Sequence, residues 1–424
     1  MKSLHLAILA VGAFISQSAV AQSTAAQEFV IRGATVHTAS AKGTLKNTDV
    51  LVRGGVIVAI GEAAGAGAAG ATVIDAKGKQ LTPGLFGGLT SVGLEEIAEE
   101  PQTIDSTLNQ KSPAWDQQWR PELDVTLAFN PRSFVVPVTR VEGVTWTVLA
   151  PSAADSIIGG QGSAVTLDGR FDAALPGSRS LFVQMGSAGA RAAGGTRAAE
   201  YMLLDQAIHE ARAAGPIGPG ALLHAAGREV LNRYLMGGRV VFEVDRASDI
   251  REVVAFAQRS GIRPVILGGD EAWLVAKDLA KANVPVILNP LNDLPADFDR
   301  LGSSLENAAR LQRAGVRIVF SSGDTPQARL VRQLAGNAVA HGLPWDAALA
   351  AITSTPADIF GVGATHGRIA VGQSADLVLW SGDPLEVSTL ADQVWIAGRS
   401  IEMKSRQTEL RDRYVEKVKA HQAR

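Results

Sequence analysis

Catalysis or metal binding would have to come from this chain's histidines, carboxylates, lysines or hydroxyls, because it contains seven histidines and no cysteine. Without cysteine there is no disulfide, no thiolate zinc site and no thiol nucleophile. A His-x-His pair or a helical His-x-x-x-His would set two imidazoles on one face, as a metal requires. Neither spacing occurs. His5 lies in the N-terminal apolar run, and His37 falls among short strands. His209 and His224 flank a Gly/Pro linker, His341 ends a helical stretch before Gly342, His366 is in a loop and His421 in the tail. Structural or surface roles are the expectation for each, and a cationic His341 would suit a helix C-terminus. Gly159-Gly160-Gln161-Gly162 lacks the Lys-Ser/Thr of a phosphate loop, which leaves a tight turn as the expectation. No Gly-x-Ser-x-Gly elbow is present. Asp324, ahead of Thr325-Pro326-Gln327, is placed to cap a helix from Gln327 to Ala340.

The elements that must position these residues follow from pattern and composition. The 424 residues are 46% hydrophobic and 19% charged, enough for one large α/β barrel or two to three smaller domains. Forty Lys+Arg against 42 Asp+Glu give a net charge of −2, so nothing electrostatic points to nucleic acid. Lys2, the apolar run Leu4 to Ile15 and Ala19-Val20-Ala21 before Gln22 have the form of a secretory signal peptide over residues 1–21. That run is shorter than the ~20 residues of a membrane span. The expectation is an exported, soluble protein, periplasmic in a Gram-negative source, with no stable membrane insertion.

Residues 28–82 contain short strands at Phe29-Val30-Ile31, Val50-Leu51-Val52 and Val56 to Ile60, with the Ala/Gly tract Ala63 to Ala71 expected as a surface loop. Strand-like runs return at Asp376 to Trp380 and Gln393 to Ala397, so residues 28–82 and 367–402 predict one small β-sandwich domain built from both chain ends. Between them, 83–366 alternates apolar runs with helical patterns. Eight candidate strands (85–89, 145–150, 164–167, 181–185, 240–244, 265–268, 284–288 and 317–320) predict an α/β fold of the (β/α)8 TIM-barrel type. Ser303-x-x-Glu306 and Asp249-x-x-Glu252 resemble capping boxes, and Pro344 suits a first helical turn. Glu95 to Pro131, with Trp115 and Trp119, is expected to form an irregular excursion over one barrel face. Residues 403–424, with seven basic and three acidic residues, predict a solvated charged helix.

Leu81-Thr82-Pro83-Gly84-Leu85 and the stretch Gly367-Arg368-Ile369-Ala370-Val371-Gly372-Gln373-Ser374-Ala375-Asp376-Leu377-Val378-Leu379-Trp380 resemble the points where amidohydrolase-superfamily chains enter and leave their barrel. The likeness is to the imidazolonepropionase-like group, extends over the chain beyond residue 21, and includes Gly143-Val144-Thr145 and Gly194-Gly195-Thr196-Arg197. Such a resemblance implies a metal-dependent hydrolase of C–N bonds other than peptide bonds. Its metal would be held by a His-x-His after the first strand, histidines ending strands five and six, an aspartate ending strand eight and, in some members, a carboxylated lysine. A metal held this way lowers the pKa of bound water towards ~7.

Carried over residue by residue, the ligand positions are degenerate. The His-x-His falls on Leu89-Thr90-Ser91, the strand-five histidine on Glu243 and the strand-six histidine on Gly268. No lysine occurs between Lys111 and Lys277. Asp324 is the retained family position. The resemblance thus implies a hydrolase by class and a non-catalytic pseudoenzyme by ligand set, paired with an active amidohydrolase relative or with itself. No cofactor is expected. One alternative is an active hydrolase with a rebuilt site, in which Glu243, Asp245 and Asp324 hold a divalent cation. Glu243 and Asp245 would share one face of a strand, and oxygen donors favour Mg²⁺, Mn²⁺ or Ca²⁺. The other alternative is a periplasmic module binding a small molecule in the old pocket.

Overall fold

The computed structural model describes residues 28–97, 99–108, 119–154, 156–215, 218–323 and 325–422. The expected signal peptide, Trp115 and Asp324 lie outside the described residues. The chain opens with β1 (Phe29–His37), β2 (Thr44–Arg53), β3 (Val56–Ile60), β4 (Thr72–Asp75) and β5 (Gln80–Pro83). Nine strands follow: β6 (Leu85–Thr90), β7 (Val144–Leu149), β8 (Ile158–Gly162), β9 (Ala164–Thr166), β10 (Ser180–Gln184), β11 (Arg239–Val244), β12 (Arg263–Gly268), β13 (Val286–Leu288) and β14 (Ile318–Phe320). The chain returns through β15 (Leu377–Trp380), β16 (Ala391–Ile396) and β17 (Arg399–Ser400), and ends in the exposed helix Arg406–Gln422.

Both chain ends enter one sheet. Its order is β17-β16-β15-β5-β1-β2-β3, with β4 also paired to β1, so the two chain ends share one eight-stranded sheet. Period-two alternation sorts its residues. Phe29, Ile31, Val50 and Val52 pack in one cluster, while Val30 and Leu51 face the other way onto Ala64 and Ala68. The tract expected as a loop therefore starts as the short helix Glu62–Ala66, which covers that second face. Alanine is the best helix former, and here it also closes an apolar surface.

All eight strands expected between 83 and 366 form, with one difference of direction. β10 to β14 run parallel in a single sheet, and β6 pairs parallel to β7. The third position is filled by one segment, 158–166, whose first part β8 lies antiparallel to β10 and whose second part β9 lies antiparallel to β7. Gly159-Gly160-Gln161-Gly162 is thus a fully buried strand, not a turn. Its glycines permit the approach, since a Cβ on Gly162 would sit 1.9 Å from the Leu149 carbonyl oxygen. Among the described residues no ladder joins β14 to β6. The Leu89 amide instead donates to Ser321 Oγ at 3.0 Å across that seam.

Alternation also separates two cores in this region. Leu181, Val183, Val240, Phe242, Ile266, Val286, Leu288, Ile318 and Phe320 face outward onto helices, including Ala247–Ser260 through Ile250, Val253 and Phe256. Phe86, Leu89, Trp146, Val148, Ala164, Phe182, Val241, Val265, Ile287 and Val319 face one another on the inner side. β15 ties both units together, because Leu377 and Leu379 enter the terminal-sheet core while Val378 and Trp380 enter the outer core.

Helix starts depart from the expected capping. Glu306 itself stands at the N-cap of Asn307–Arg313 without a side-chain bond, and Ser303 Oγ donates to the Arg300 carbonyl. The helix containing Asp249 starts two residues earlier, at Ala247, whose amide is held by Glu271 Oε2 at 3.0 Å. Pro344 lies at the N-cap of Trp345–Ala351, and His341 follows Val331–Ala340 as expected. Trp119, expected on an outer excursion, is 7% exposed and joins the outer core.

Candidate functional site

At the C-terminal ends of β10 and β11 the inward side chains change from apolar to polar. Gln184, Glu243, Leu267 and Ile287 are successive ladder partners across β10 to β13. Glu243 is in phase with the inward-facing Val241, so its carboxylate faces the inner side of the sheet. It is accessible to solvent, yet the walls of the mouth surround it. Burial pushes its carboxyl above the ordinary carboxylate range, and Arg300 pulls it back.

Asp245 lies just past β11 and does not stand free beside Glu243. Its Oδ2 accepts from Arg300 Nε at 3.0 Å. Its Oδ1 accepts from the Asp270 amide at 3.3 Å and lies 2.4 Å from where a Gly268 Cβ would project. Gly268 has φ +90, so a side chain there would be strained as well as obstructed. Asp270, 2% exposed, is held by Asn292 Nδ2 at 3.0 and 3.1 Å and lies 3.6 Å from Arg300. Burial and the neighbouring Asp270 push Asp245 up to about 7, against the pull of Arg300. Burial likewise raises Asp270. Burial works against the charge of Arg300, but Asp245, Asp270 and Asp297 outweigh it and raise its pKa.

Arg300 and Asn292 arrive on the long connection after β13, which crosses the strand ends and is pinned at several points. Gly302 N donates to Glu271 Oε1 at 2.9 Å, Trp273 Nε1 donates to the Gly302 carbonyl at 2.8 Å, and Asp299 Oδ2 accepts from Ser187 N at 2.8 Å. Arg197 bridges Asp299 and Asp249 beside it. Asp270, Asn292 and Arg300 are functional candidates that inspection of the sequence did not identify. Asp270 had a signal, as a carboxylate two residues past Gly268 at a strand end. Arg300 had none, because a long loop carries no periodicity.

The remaining positions have structural partners. Leu89 is 3% exposed and packed in the inner core, and the Ser91 amide donates to Thr325 Oγ1 at 2.8 Å. Glu243 and Asp245 are brought to one mouth, while Asp324 lies outside the described residues. His37 bonds Thr44 and Gln80, and His366 lies 3.5 Å from Asp376.

These donors do not suit the divalent metal that the resemblance implies. Leu89 is apolar, Gly268 has no side chain, and the Arg300 guanidinium sits between Asp245 and Asp270 as an internal ion pair. Among the described residues no group of three or more His, Cys, Asp or Glu could hold a metal ion.

The comparisons with known proteins agree with the fold. Residues 221–401 match the family model described as Amidohydrolase family. The chain is similar to an imidazolonepropionase from Chromobacterium violaceum, 28% identical over 377 residues that cover 80% of this chain and 86% of that one. A 58-residue stretch is 50% identical to amidohydrolase tasK of Hapsidospora irregularis, covering 14% of this chain and only 6% of that much longer protein. An amidohydrolase from Thermotoga maritima MSB8 superposes with a TM-score of 0.76 at 24% identity, over 89% of this chain and 100% of that chain. Its fold, and hence this one, is α/β and TIM-barrel-like. Over residues 221–401 the chain thus resembles the amidohydrolase family, and over most of its length it is similar to an imidazolonepropionase.

Proposed function

We propose that this protein is an amidohydrolase-fold subunit that has exchanged metal-dependent hydrolysis for an internally neutralised barrel mouth, and that it works beside an active relative or a second copy of itself. The observation that carries this reading is Arg300, anchored 3.0 Å from Asp245 and 3.6 Å from Asp270 where an active relative would concentrate positive charge as metal. Two carboxylates already facing a fixed guanidinium gain little from a second cation, whose entry would cost desolvation. In this reading the two inner sheets are one (β/α)8 barrel sealed at the Ser321 seam, and the terminal sheet is rolled into a small sandwich. The chain is exported, with residues 1–21 removed after Ala21. The test is metal content after purification without chelator in the presence of Zn²⁺, Mn²⁺, Mg²⁺ and Ca²⁺. Substoichiometric metal is expected. Near-stoichiometric metal that disappears in Glu243→Gln would sink the reading. Copurification from the source organism should then recover an active amidohydrolase or a self-assembled oligomer.

A second reading rests on a separate observation, the Asp245 carboxyl pushed up to about 7 next to the solvent-accessible Glu243. Two carboxyls with separated proton affinities can divide general acid and general base roles without a metal. Turnover of an amide or cyclic imide that Asp245→Asn abolishes, with its pH dependence, would favour this reading over the first. A ligand that stabilises the protein without turnover would favour a binding module.

A further inference from the structure

The opposite ends of the same strands carry a different set of side chains. Arg239 and Arg263 open β11 and β12 in phase with the inward-facing Val241 and Val265, and Arg317, one residue before β14, is in phase with the inward-facing Val319. Arg239 and Arg263 are ladder partners, and Arg317 lies across β13 from them. Together with Asn283 and Asp358 they line a cavity of about 390 Å³ at the N-terminal end of the barrel. The cavity is therefore remote from the Glu243 mouth.

Its positive charge lacks a counter-charge. The lining carboxylate, Asp358, is taken by Arg368, with Oδ1 accepting at 2.9 Å and Oδ2 at 2.5 Å. Among the described residues no carboxylate forms an ion pair with Arg239, Arg263 or Arg317. Arg239 is 8% exposed and has only neutral partners. Its Nη1 donates to the Ser178 carbonyl at 3.0 Å, and its guanidinium lies 5.5 Å from the centre of the Phe360 ring. Burial and the adjacent Arg263 pull it down to about 10. A buried guanidinium without an anion is costly, and most such groups are paired.

We propose that this cavity is a phosphate-binding site, in which Arg239, Arg263 and Arg317 hold inorganic phosphate or the phosphate group of a small ester. Guanidinium forks match the oxygen pairs of phosphate and carboxylate. Here arginines on β11 and β12 and a third just before β14 line one cavity, with Arg263 Nε also donating to the Gly237 carbonyl. A planar carboxylate presents one two-oxygen edge, whereas a tetrahedral phosphate presents oxygens in several directions and carries about two charges near neutral pH. A volume of about 390 Å³ holds such a group together with a small organic moiety.

The test is calorimetric titration of the purified full-length protein with inorganic phosphate, glycerol 2-phosphate and succinate at constant ionic strength, beside melting curves with each. Saturable single-site phosphate binding that raises the melting temperature is expected. It should weaken about tenfold or more in Arg263→Gln and in Arg317→Gln, each of which removes one charge-assisted fork. Both arginines lie on the exposed rim, so both variants should keep the wild-type circular dichroism. Tighter binding of the ester would identify an organic phosphate as the occupant, and tighter binding of the free anion would identify inorganic phosphate. Either outcome supports the site. Succinate binding as tightly as phosphate, undiminished binding in the double variant, or no phosphate-dependent shift in the wild-type melting curve would overturn it.

Discussion

At the scale of single residues, this molecule keeps its ionisable groups under unusual constraint. Glu200, 1% exposed within the helix Arg197–Arg212, has a carboxyl oxygen without a hydrogen-bond partner. Burial and the nearby Asp249 push its pKa up to about 7, against the pull of Arg197. The folded state therefore keeps a proton that the unfolded chain releases near its ordinary value of about 4.3. Stability must fall as pH rises from that value to about 7, and stay level above. Glu200→Gln removes the titration. It should be more stable than the wild type by about 1–3 kcal/mol at pH 8, with the difference closing towards pH 4. Urea unfolding at several pH values measures this, and a pH-independent difference would show that Glu200 does not titrate on unfolding. Asp245, also pushed up to about 7, adds a slope of the same sign.

At the scale of elements, the junction between the two inner sheets is the most exacting part of the fold. One segment, β8 followed by β9, turns from β10 to β7 with every residue of both strands buried. Gly162 sits at that transfer, and the obstacle to a side chain there is the Leu149 main-chain oxygen rather than a movable side chain. Gly162→Ala should thus cost about 2–3 kcal/mol, at the upper end for overpacking, because backbone must shift. The drop in denaturant midpoint at constant slope is the readout. A neutral result would mean that the segment can separate from β7 without consequence.

At the scale of the whole molecule, β15 makes the terminal sheet and the outer core around the inner sheets one structure. Its alternate residues belong to two cores, and Trp380 is fully buried, with Nε1 donating to Thr82 Oγ1 at 2.9 Å and the Arg332 guanidinium 4.7 Å from its ring. A single strand buried on both faces cannot leave one core while remaining in the other. Calorimetry should show one unfolding transition, coincident with that seen by tryptophan fluorescence. Two resolved transitions would mean that the terminal sheet melts independently.

Much of this was legible in the linear sequence, and the boundary has a physical basis. The inner strands could be located because strands buried on both faces, most of them parallel here, are continuous apolar runs, which survive as a one-dimensional signal. The motif from Gly367 to Trp380 marked the chain's return to the terminal sheet. Strand direction was not encoded in that way, since Gly159 to Gly162 become an antiparallel strand only through close contacts with Leu123 and Leu149. Charge partners were equally invisible. Asp245 and Arg300 are 55 residues apart and meet only because the connection after β13 folds across the strand ends. The three arginines of the lower cavity meet for the same reason, Arg239 and Arg263 as ladder partners on β11 and β12 and Arg317 just before β14. Local pattern determined where the strands are and which way each residue faces, whereas the charges each residue meets depend on long-range closure of the chain, and only the tertiary structure decided them.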